Sequence, residues 1–432
     1  MTIHTDICIV GAGPAGATTA LFLAKAGIPH VIVDAAEFPR DKICGDGLDL
    51  KVMRVLHLLD PDILHQMTVD TGFSRSWGTR IITPDGQQTD LAYQPGEQES
   101  PFPLYQVARR AHFDHFLVQQ FDSQFTDFRP GTPVKSLARA GDGWQLLATN
   151  AGGPVEINCK LVIGADGDHS VVLRTLGERK IERRHYAASQ RQYWKGISGI
   201  HPDGLIEFYF PASLPWSYFW IFPLPNGEAN VGFIMLSEPV AAMKINIRHE
   251  LQRIIAEDPV IAPRFRNAVP LDKPAGWGLP LSSRQRKPFG DGFLLVGDAA
   301  SLICPLTGEG IGTSMLSGYL AAQFIQKAVT AGRYDAAILA GYEKELYRRL
   351  SEEIRLAQVA YYAQRLPWRW CVWALNTVLP SRLLAWAFRK MAKGWLHTAF
   401  HKTISTYTAP STAASMSPSP VLLPDSVRDD KK

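Results

Sequence analysis

The sequence predicts an α/β chain in which a parallel-sheet domain is split around an inserted antiparallel sheet, with a helical region after both. Three observations predict it. Between residues 5 and 35 a short apolar strand, a glycine-rich turn, a helix-forming run and a second apolar strand follow one another. Two later apolar runs, Leu161-Val162-Ile163 and Phe293-Leu294-Leu295-Val296, lead into Gly164-Ala165-Asp166-Gly167 and Gly297-Asp298-Ala299-Ala300, and continuous runs of this length suit buried parallel strands. Between them, residues 206–210, 218–224 and 229–235 are strand-like, with Pro225-Asn226-Gly227 as the turn between the last two, which reads as an antiparallel sheet. Parallel strands at both ends of the sequence and antiparallel ones between them imply a discontinuous domain carrying an insert.

The opening stretch is the most informative. Asp6-Ile7-Cys8-Ile9-Val10 is the strand, and Gly11-Ala12-Gly13-Pro14-Ala15-Gly16 follows in G-x-G-x-x-G spacing. Residues 17–26 form the helix, which Gly27 ends. His30-Val31-Ile32-Val33 is the second strand, with Asp34 at its end. Gly11 permits the tight turn, Gly13 lets backbone approach a pyrophosphate, and Gly16 lets the helix lie close on the strand. The helix N-terminus offers free N–H groups and a partial positive charge to phosphates, with Pro14 and Ala15 of the motif beside them. Asp34 can accept hydrogen bonds from ribose hydroxyls. Strand, motif, helix and acid in this order are a Rossmann-like dinucleotide signature.

Composition narrows the rest. A chain of 432 residues exceeds what one core fills, so two or three subdomains are expected. A net charge of +4 is too mild to imply nucleic acid. Cys8, Cys44, Cys159, Cys304 and Cys371 are odd in number and form no C-x-x-C pair, so neither a disulfide framework nor a metal site is expected, and a reducing cytoplasm is the expected compartment. A nucleotide strand starting at residue 6 argues against a signal peptide.

Further along, residues 37–47 form a polar, glycine-punctuated loop, and residues 48–59 have helical periodicity. Ile81-Ile82 and Leu91-Ala92-Tyr93 flank Thr83-Pro84-Asp85-Gly86, a hairpin signal. A helix is expected over 107–121, with Arg110 near its start, then short strands over 132–159. Residues 244–258 read as an amphipathic helix, and helices continue over 310–400. Residues 411–432, rich in Ser and Pro and then charged, read as a disordered tail. The basic cluster Arg179, Lys180, Arg183 and Arg184 reads either as a solvated face or as a dock for a nicotinamide phosphate.

The combination of the opening motif, Gly164-Ala165-Asp166-Gly167, Gly297-Asp298-Ala299-Ala300 and Pro305-Leu306-Thr307-Gly308-Glu309-Gly310-Ile311 resembles the flavoproteins that include para-hydroxybenzoate hydroxylase, flavin halogenases and geranylgeranyl reductases. Phe38-Pro39-Arg40-Asp41-Lys42-Ile43-Cys44-Gly45 and Ser217-Tyr218-Phe219-Trp220-Ile221-Phe222-Pro223 are similar to the Cys-Gly loop and the aromatic segment of the geranylgeranyl reductases, with Ser217 in place of a glycine. The resemblance covers residues 1 to about 325. It implies FAD as cofactor. Asp298 would bond the ribityl chain, and the helix after Pro305, Gly308, Gly310 and Ile311 would face the flavin pyrimidine, where its N-terminus stabilises negative charge. Arg40, Cys44, Gly45, Arg110, Asp166 and Gly297 would complete the cofactor site.

The fold implied is a discontinuous Rossmann-like FAD-binding domain with an inserted antiparallel-sheet substrate domain and a C-terminal helical region. Its boundaries are FAD domain 1–75, 101–175 and 286–335, substrate hairpin 76–100, substrate domain 176–285, helical region 336–410 and tail 411–432. The activity implied is saturation of C=C bonds in an isoprenoid lipid by hydride from reduced flavin, with water excluded. Cys44, Tyr218 and Trp220 are the catalytic-site candidates, and Cys44, Tyr218 or a flavin-bound water could give the proton. Phe208, Phe210, Trp216 and Phe219 would help wall a tunnel for the prenyl chain. An FAD monooxygenase or halogenase, and a flavin-binding protein without turnover, are the alternatives. No second dinucleotide fingerprint is present, so NADPH, NADH or a ferredoxin would serve as external electron donor.

Residues 354–424 contain no Asp or Glu, while Arg365, Arg369, Arg382, Arg389, Lys390 and Lys393 alternate with Trp368, Trp370, Trp373, Trp386 and Trp395. No uncharged run is long enough to span a bilayer. The segment reads either as helices lying in an anionic membrane interface, which would place the enzyme at the inner face of the membrane, or as a helical cap on the substrate domain.

Overall fold

A computed structural model describes residues 1–92, 102–214 and 216–363. The opening unit forms as the residue pattern dictates. The apolar run lies within β1 (Thr2–Val10), helix α1 (Pro14–Lys25) has Pro14 at its first turn, where the missing N–H costs nothing, and β2 (His30–Val33) follows. Gly27 sits at φ +69° just beyond α1, the left-handed conformation that ends helices.

The first sheet has the order Phe289–Gly290, Phe293–Leu295, Gly153–Gly164, β1, β2, Thr126–Arg129. Every neighbouring pair from Phe293–Leu295 to Thr126–Arg129 is parallel. Gly153–Gly164 is one strand of 12 residues, whereas the sequence suggested a separate strand at 161–163. Its first half pairs in a hairpin with Gly143–Asn150, and its second half enters the parallel core. Asn158 and Lys160 interrupt the apolar run without breaking the strand, because the ladder is held by backbone. Helix Ile311–Ala331 crosses α1 so closely that a Cβ on Gly318 would stand 2.4 Å from the Ala15 carbonyl oxygen.

The second sheet runs in the order Val269–Pro270, Tyr186–Lys195, Glu228–Leu236, Ser217–Pro223, Ile206–Tyr209, Gly78–Ile82, Gln88–Ala92. Ala275–Pro280 also pairs with Tyr186–Lys195. The hairpin expected near residue 83 is present, and it joins this sheet through a parallel pairing of Gly78–Ile82 with Ile206–Tyr209. Asn226 and Gly227, at φ 62° and 71°, make the tight turn before Glu228–Leu236. The sheet has two apolar faces. Phe219, Phe233 and Met235 pack against Leu251 and Ile254 of helix Ile247–Glu257. On the other face lie Tyr193, Trp220, Phe222 and Ile234.

Two expectations are corrected, and one helix is added. Helix Leu50–Leu59 begins two residues later than expected, because Gly47–Asp49 is a strand and the Asp49 carboxylate accepts from the Lys51 and Val52 N–H groups as N-cap. The helix expected from residue 107 is Arg110–Val118, preceded by the strand Tyr105–Val107. Helix Pro61–Val69, capped by Asp60, had no counterpart in the sequence reading. The last described helix is Ala336–Ala363. Among the described residues no helix is long and apolar enough to cross a membrane. Cys371, the basic tryptophan-rich stretch beyond residue 363 and the tail at 411–432 lie outside the described residues.

Candidate functional site

A cleft of about 470 Å³ lies between the two sheets. Gly11, Gly13, Pro14, Ala15, Asp34, Arg40, Cys44, Gly45, Arg110, Asp166, Tyr218, Trp220, Asp298, Gly308, Gly310 and Ile311 all line it. Residues from the beginning, middle and end of the sequence therefore meet in one site. Gly16, Gly297 and Pro305 are outside the lining. The two glycines act behind the wall: a Cβ on Gly16 would stand 1.9 Å from the Gly11 carbonyl oxygen, and one on Gly297 would stand 2.9 Å from Ala15 Cβ.

The cofactor half is built from helix ends. Gly13 precedes α1 and Gly310 precedes Ile311–Ala331, and neither helix has a side-chain cap. Their first N–H groups and partial positive charges therefore remain available to an anion in the cleft. A Cβ on Gly13 would meet only Arg40 Nη2, at 3.6 Å, so the space in front of this backbone is open. Asp34 holds the turn itself: Oδ2 accepts from the Ala12 N–H at 2.7 Å and Oδ1 from that of Ala36 at 2.9 Å. Arg110 binds Asp114 in bidentate fashion at 2.6 and 2.7 Å, and Arg40 Nη1 reaches the same carboxylate at 2.9 Å. Asp166 Oδ2 accepts from the Val171 N–H at 2.6 Å. The half-buried Asp298 carboxyl is pushed up by desolvation, against the attraction of Lys42 and Arg110, and no described residue bonds it. Two uncapped helix ends, an open glycine face and a free carboxylate acceptor fit the phosphates, the flavin and the polyol chain of FAD.

Known proteins resemble this chain. An FAD binding domain family matches residues 4–199. Digeranylgeranylglycerophospholipid reductase 2 of Methanopyrus kandleri is 30% identical over 349 residues, covering 78% of this chain and 81% of that protein. The chain belongs to the geranylgeranyl reductase family. It is an FAD-dependent oxidoreductase. A menaquinone reductase of Mycobacterium tuberculosis is 28% identical over 377 residues, 84% of this chain and 85% of that one. The fold matches a geranylgeranyl bacteriochlorophyll reductase-like protein of Thermoplasma acidophilum with a TM-score of 0.72, at 24% identity and over 85% of this chain and 89% of that one.

In this member of the reductase family, the other half of the cleft is aromatic. Alternation along Ser217–Pro223 turns Tyr218, Trp220 and Phe222 into the cleft, with Phe208 from the neighbouring strand. Phe208 meets Tyr218 and Phe222 edge-on, at centroid distances of 5.3 and 5.4 Å. Phe219, expected in the wall, is fully buried on the opposite face of the sheet, as the period of two requires. Phe210 and Trp216 are not in the lining. The Tyr218 hydroxyl donates to the Thr307 carbonyl, and burial raises its pKa far above the ordinary phenol, so it is a poor acid toward a substrate. Cys44 lines the cleft, and its carbonyl accepts from Asn230 Nδ2 at 2.8 Å.

Two carboxyl groups in this cleft were not singled out from the sequence. Asp46 has no exposed surface. Its Oδ2 accepts from the Tyr193 hydroxyl at 2.7 Å and Asn230 Nδ2 at 2.8 Å, while Oδ1 has no partner. Trp220 Nε1 donates to Asn230 Oδ1 at 3.0 Å, so Asn230 ties the aromatic wall to the Cys-Gly loop. Desolvation pushes the Asp46 carboxyl up to about 6 against these bonds. Glu309 lies in the loop before Ile311–Ala331 and accepts from the Tyr105 hydroxyl at 3.0 Å. Burial, with Asp49 and Glu353 adding to it and Lys51 opposing, raises its carboxyl to about 7. Both residues stand inside loops whose glycines drew attention: Asp46 between Gly45 and Gly47, and Glu309 between Gly308 and Gly310. A carboxylate between two glycines was the available signal. Asn230, a buried amide inside an apolar strand, was another.

Proposed function

We infer that the protein saturates C=C bonds of an isoprenoid lipid lying along Tyr218, Trp220, Phe222 and Phe208. The observation that carries this reading is that one cleft holds both the dinucleotide features and this aromatic row. When bound, reduced FAD would supply the hydride. The chain's own residues would do the rest. Gly11, Gly13, Pro14 and Ala15 would hold the phosphates, Asp298 the ribityl chain, and the N-terminus at Gly310 and Ile311 the flavin pyrimidine. The aromatic row would hold the alkene against the flavin and keep water from it. The relatives' names support a lipid substrate: one is named for a digeranylgeranylglycerophospholipid and another for menaquinone. An external donor, NADPH, NADH or a ferredoxin, would reload the flavin. Contact with the inner face of a membrane is part of the same proposal, resting on sequence alone.

The test is anaerobic turnover of digeranylgeranylglycerophospholipid, and separately of menaquinone, by the dithionite-reduced holoenzyme. The expected product of at least one is heavier than its substrate by two hydrogens per bond reduced. Absence of anaerobic product, together with oxygen or halide incorporation in air, would establish the monooxygenase or halogenase reading instead.

A further inference from the structure

Reducing an unactivated alkene needs a proton as well as a hydride, and the structure indicates where that proton resides. Tyr218 is spent on the Thr307 carbonyl. Asp46 has no exposed surface, and its Oδ2 is held by the Tyr193 hydroxyl and Asn230 Nδ2. Glu309 differs. It lines the cleft, its Oε1 is fixed by Tyr105, and Oε2 has no hydrogen-bond partner among the described residues. Its loop also touches the aromatic wall: Tyr218 bonds Thr307, and a Cβ on Gly308 would stand 2.7 Å from the Tyr218 hydroxyl. On its other side the loop opens the helix Ile311–Ala331. Glu309 therefore sits where the aromatic row meets the helix end that fits the flavin.

We propose that Glu309 is the acid that protonates the alkene, with Tyr105 as the positioning residue that aims its free oxygen into the cleft. The proposal rests on the C=C reductase reading. The alkene π pair takes the proton from Glu309 Oε2 to form one C–H bond, and the hydride of the reduced flavin forms the other. The alkene is reduced by two electrons, the flavin is oxidised by two, and Glu309 is left as a carboxylate that regains its proton from solvent between turnovers. The groups facing Glu309 favour this cycle. Asp49, on the strand Gly47–Asp49, and Glu353, on the last described helix, oppose its ionisation. Lys51, ion-paired to both at 3.0 and 2.8 Å, softens that effect. Tyr105, Tyr218 and Cys304 complete the surroundings, all with raised pKa values and so uncharged near neutrality. Burial and these neighbours push the Glu309 carboxyl up to about 7, which suits an acid that must give and regain a proton near neutral pH.

The experiment is single turnover of anaerobic, dithionite-reduced holoenzyme with the lipid that wild type accepts, followed by flavin reoxidation across pH 5.5–9. The wild-type rate should fall as pH rises through about 7. Glu309→Gln should retain FAD and be reduced by dithionite at the wild-type rate, yet reoxidise about 10²–10⁴-fold more slowly, the range general acids supply, with the limb near pH 7 gone. Glu309→Asp should recover part of the rate. Tyr105→Phe removes a bond that favours the carboxylate, so its limb should move to higher pH, which a merely structural role would not produce. A readout without turnover is the infrared carboxylic-acid band of the apoprotein, which should lose a component titrating near pH 7 in Glu309→Gln. If Glu309→Gln reoxidises within threefold of wild type with the same pH profile, Glu309 is not the acid. If wild type itself reduces no lipid, the reductase reading fails and this assignment falls with it.

Discussion

Asp46 shows how a single side chain can work against the fold that holds it. Its carboxyl is raised from the ordinary 3.8 to about 6 by burial. The folded protein thus keeps this proton longer than the unfolded chain does. Stability is highest below pH 4 as far as this group is concerned, falls as pH rises through 4 to 6, and stays lowered above, by about 3 kcal/mol in full. Asp46→Asn can keep the bonds from Tyr193 and Asn230 on its amide oxygen while removing the charge. Relative to wild type it should gain about 1 kcal/mol more at pH 8 than at pH 5, read from urea unfolding at the two values. Equal differences at both would show that Asp46 does not ionise as described. Neither Asp46 nor Glu309 was legible as chemistry in the sequence, although both stand in quoted loops. Spacing shows which loops approach a phosphate or a flavin, but the titration of a carboxyl depends on how much protein closes over it, and that belongs to tertiary packing.

Among the elements, the order strand, turn, helix was legible because its glycines answer to local geometry, although the helix starts at Pro14 and not at residue 17. Gly16 is needed because its neighbour is the Gly11 carbonyl oxygen in the same turn. Gly318 answers to a partner some three hundred residues away in sequence: Ala15 O at 2.4 Å and Thr19 Oγ1 at 3.0 Å leave no room for a Cβ. Alanine is the better helix former by about 1 kcal/mol, so Gly318→Ala tests which effect wins. Overpacking against backbone costs about 1–3 kcal/mol, and α1, whose N-terminus lines the cleft, would be pushed aside. A lower urea midpoint and weaker FAD retention are expected, and a raised midpoint would contradict the packing argument. The strand Tyr186–Lys195 escaped the sequence reading for a related reason. Ser189, Gln190, Arg191 and Gln192 give no apolar alternation. Arg191 and Gln192 find partners only in the folded sheet, at Asp272 and, for Arg191, also Asp41.

At the scale of the whole molecule, the described residues group as one compact unit although two sheets of different kind build it. The bonds that join them pass through the site: Tyr193 and Asn230 of the antiparallel sheet bond Asp46 of the Cys-Gly loop, and Arg191 of that sheet pairs with Asp41. The sheets should therefore melt together. Calorimetry of the apoprotein should show one transition, moved upward by FAD as a whole, with about 2.7 kcal/mol added at a hundredfold excess over the dissociation constant. Two separate transitions, only one of them sensitive to FAD, would mean that the sheets fold independently. The alternation of parallel and antiparallel strands gave this architecture in outline from sequence. The joint between the sheets was hidden because its members are single polar residues scattered over Asp41, Asp46, Arg191, Tyr193 and Asn230.

Glu353 belongs to the last described helix, far along the chain from the nucleotide motif, yet it pairs with Lys51 at 2.8 Å, and both charges act on Glu309. Its negative charge is part of what holds the Glu309 carboxyl near neutrality. The acidity at which the cleft can release a proton is thus tuned by a residue outside every cofactor motif. A change of charge on that helix would retune the chemistry without touching flavin, lipid or acid, so relatives with the same loops could work at different pH.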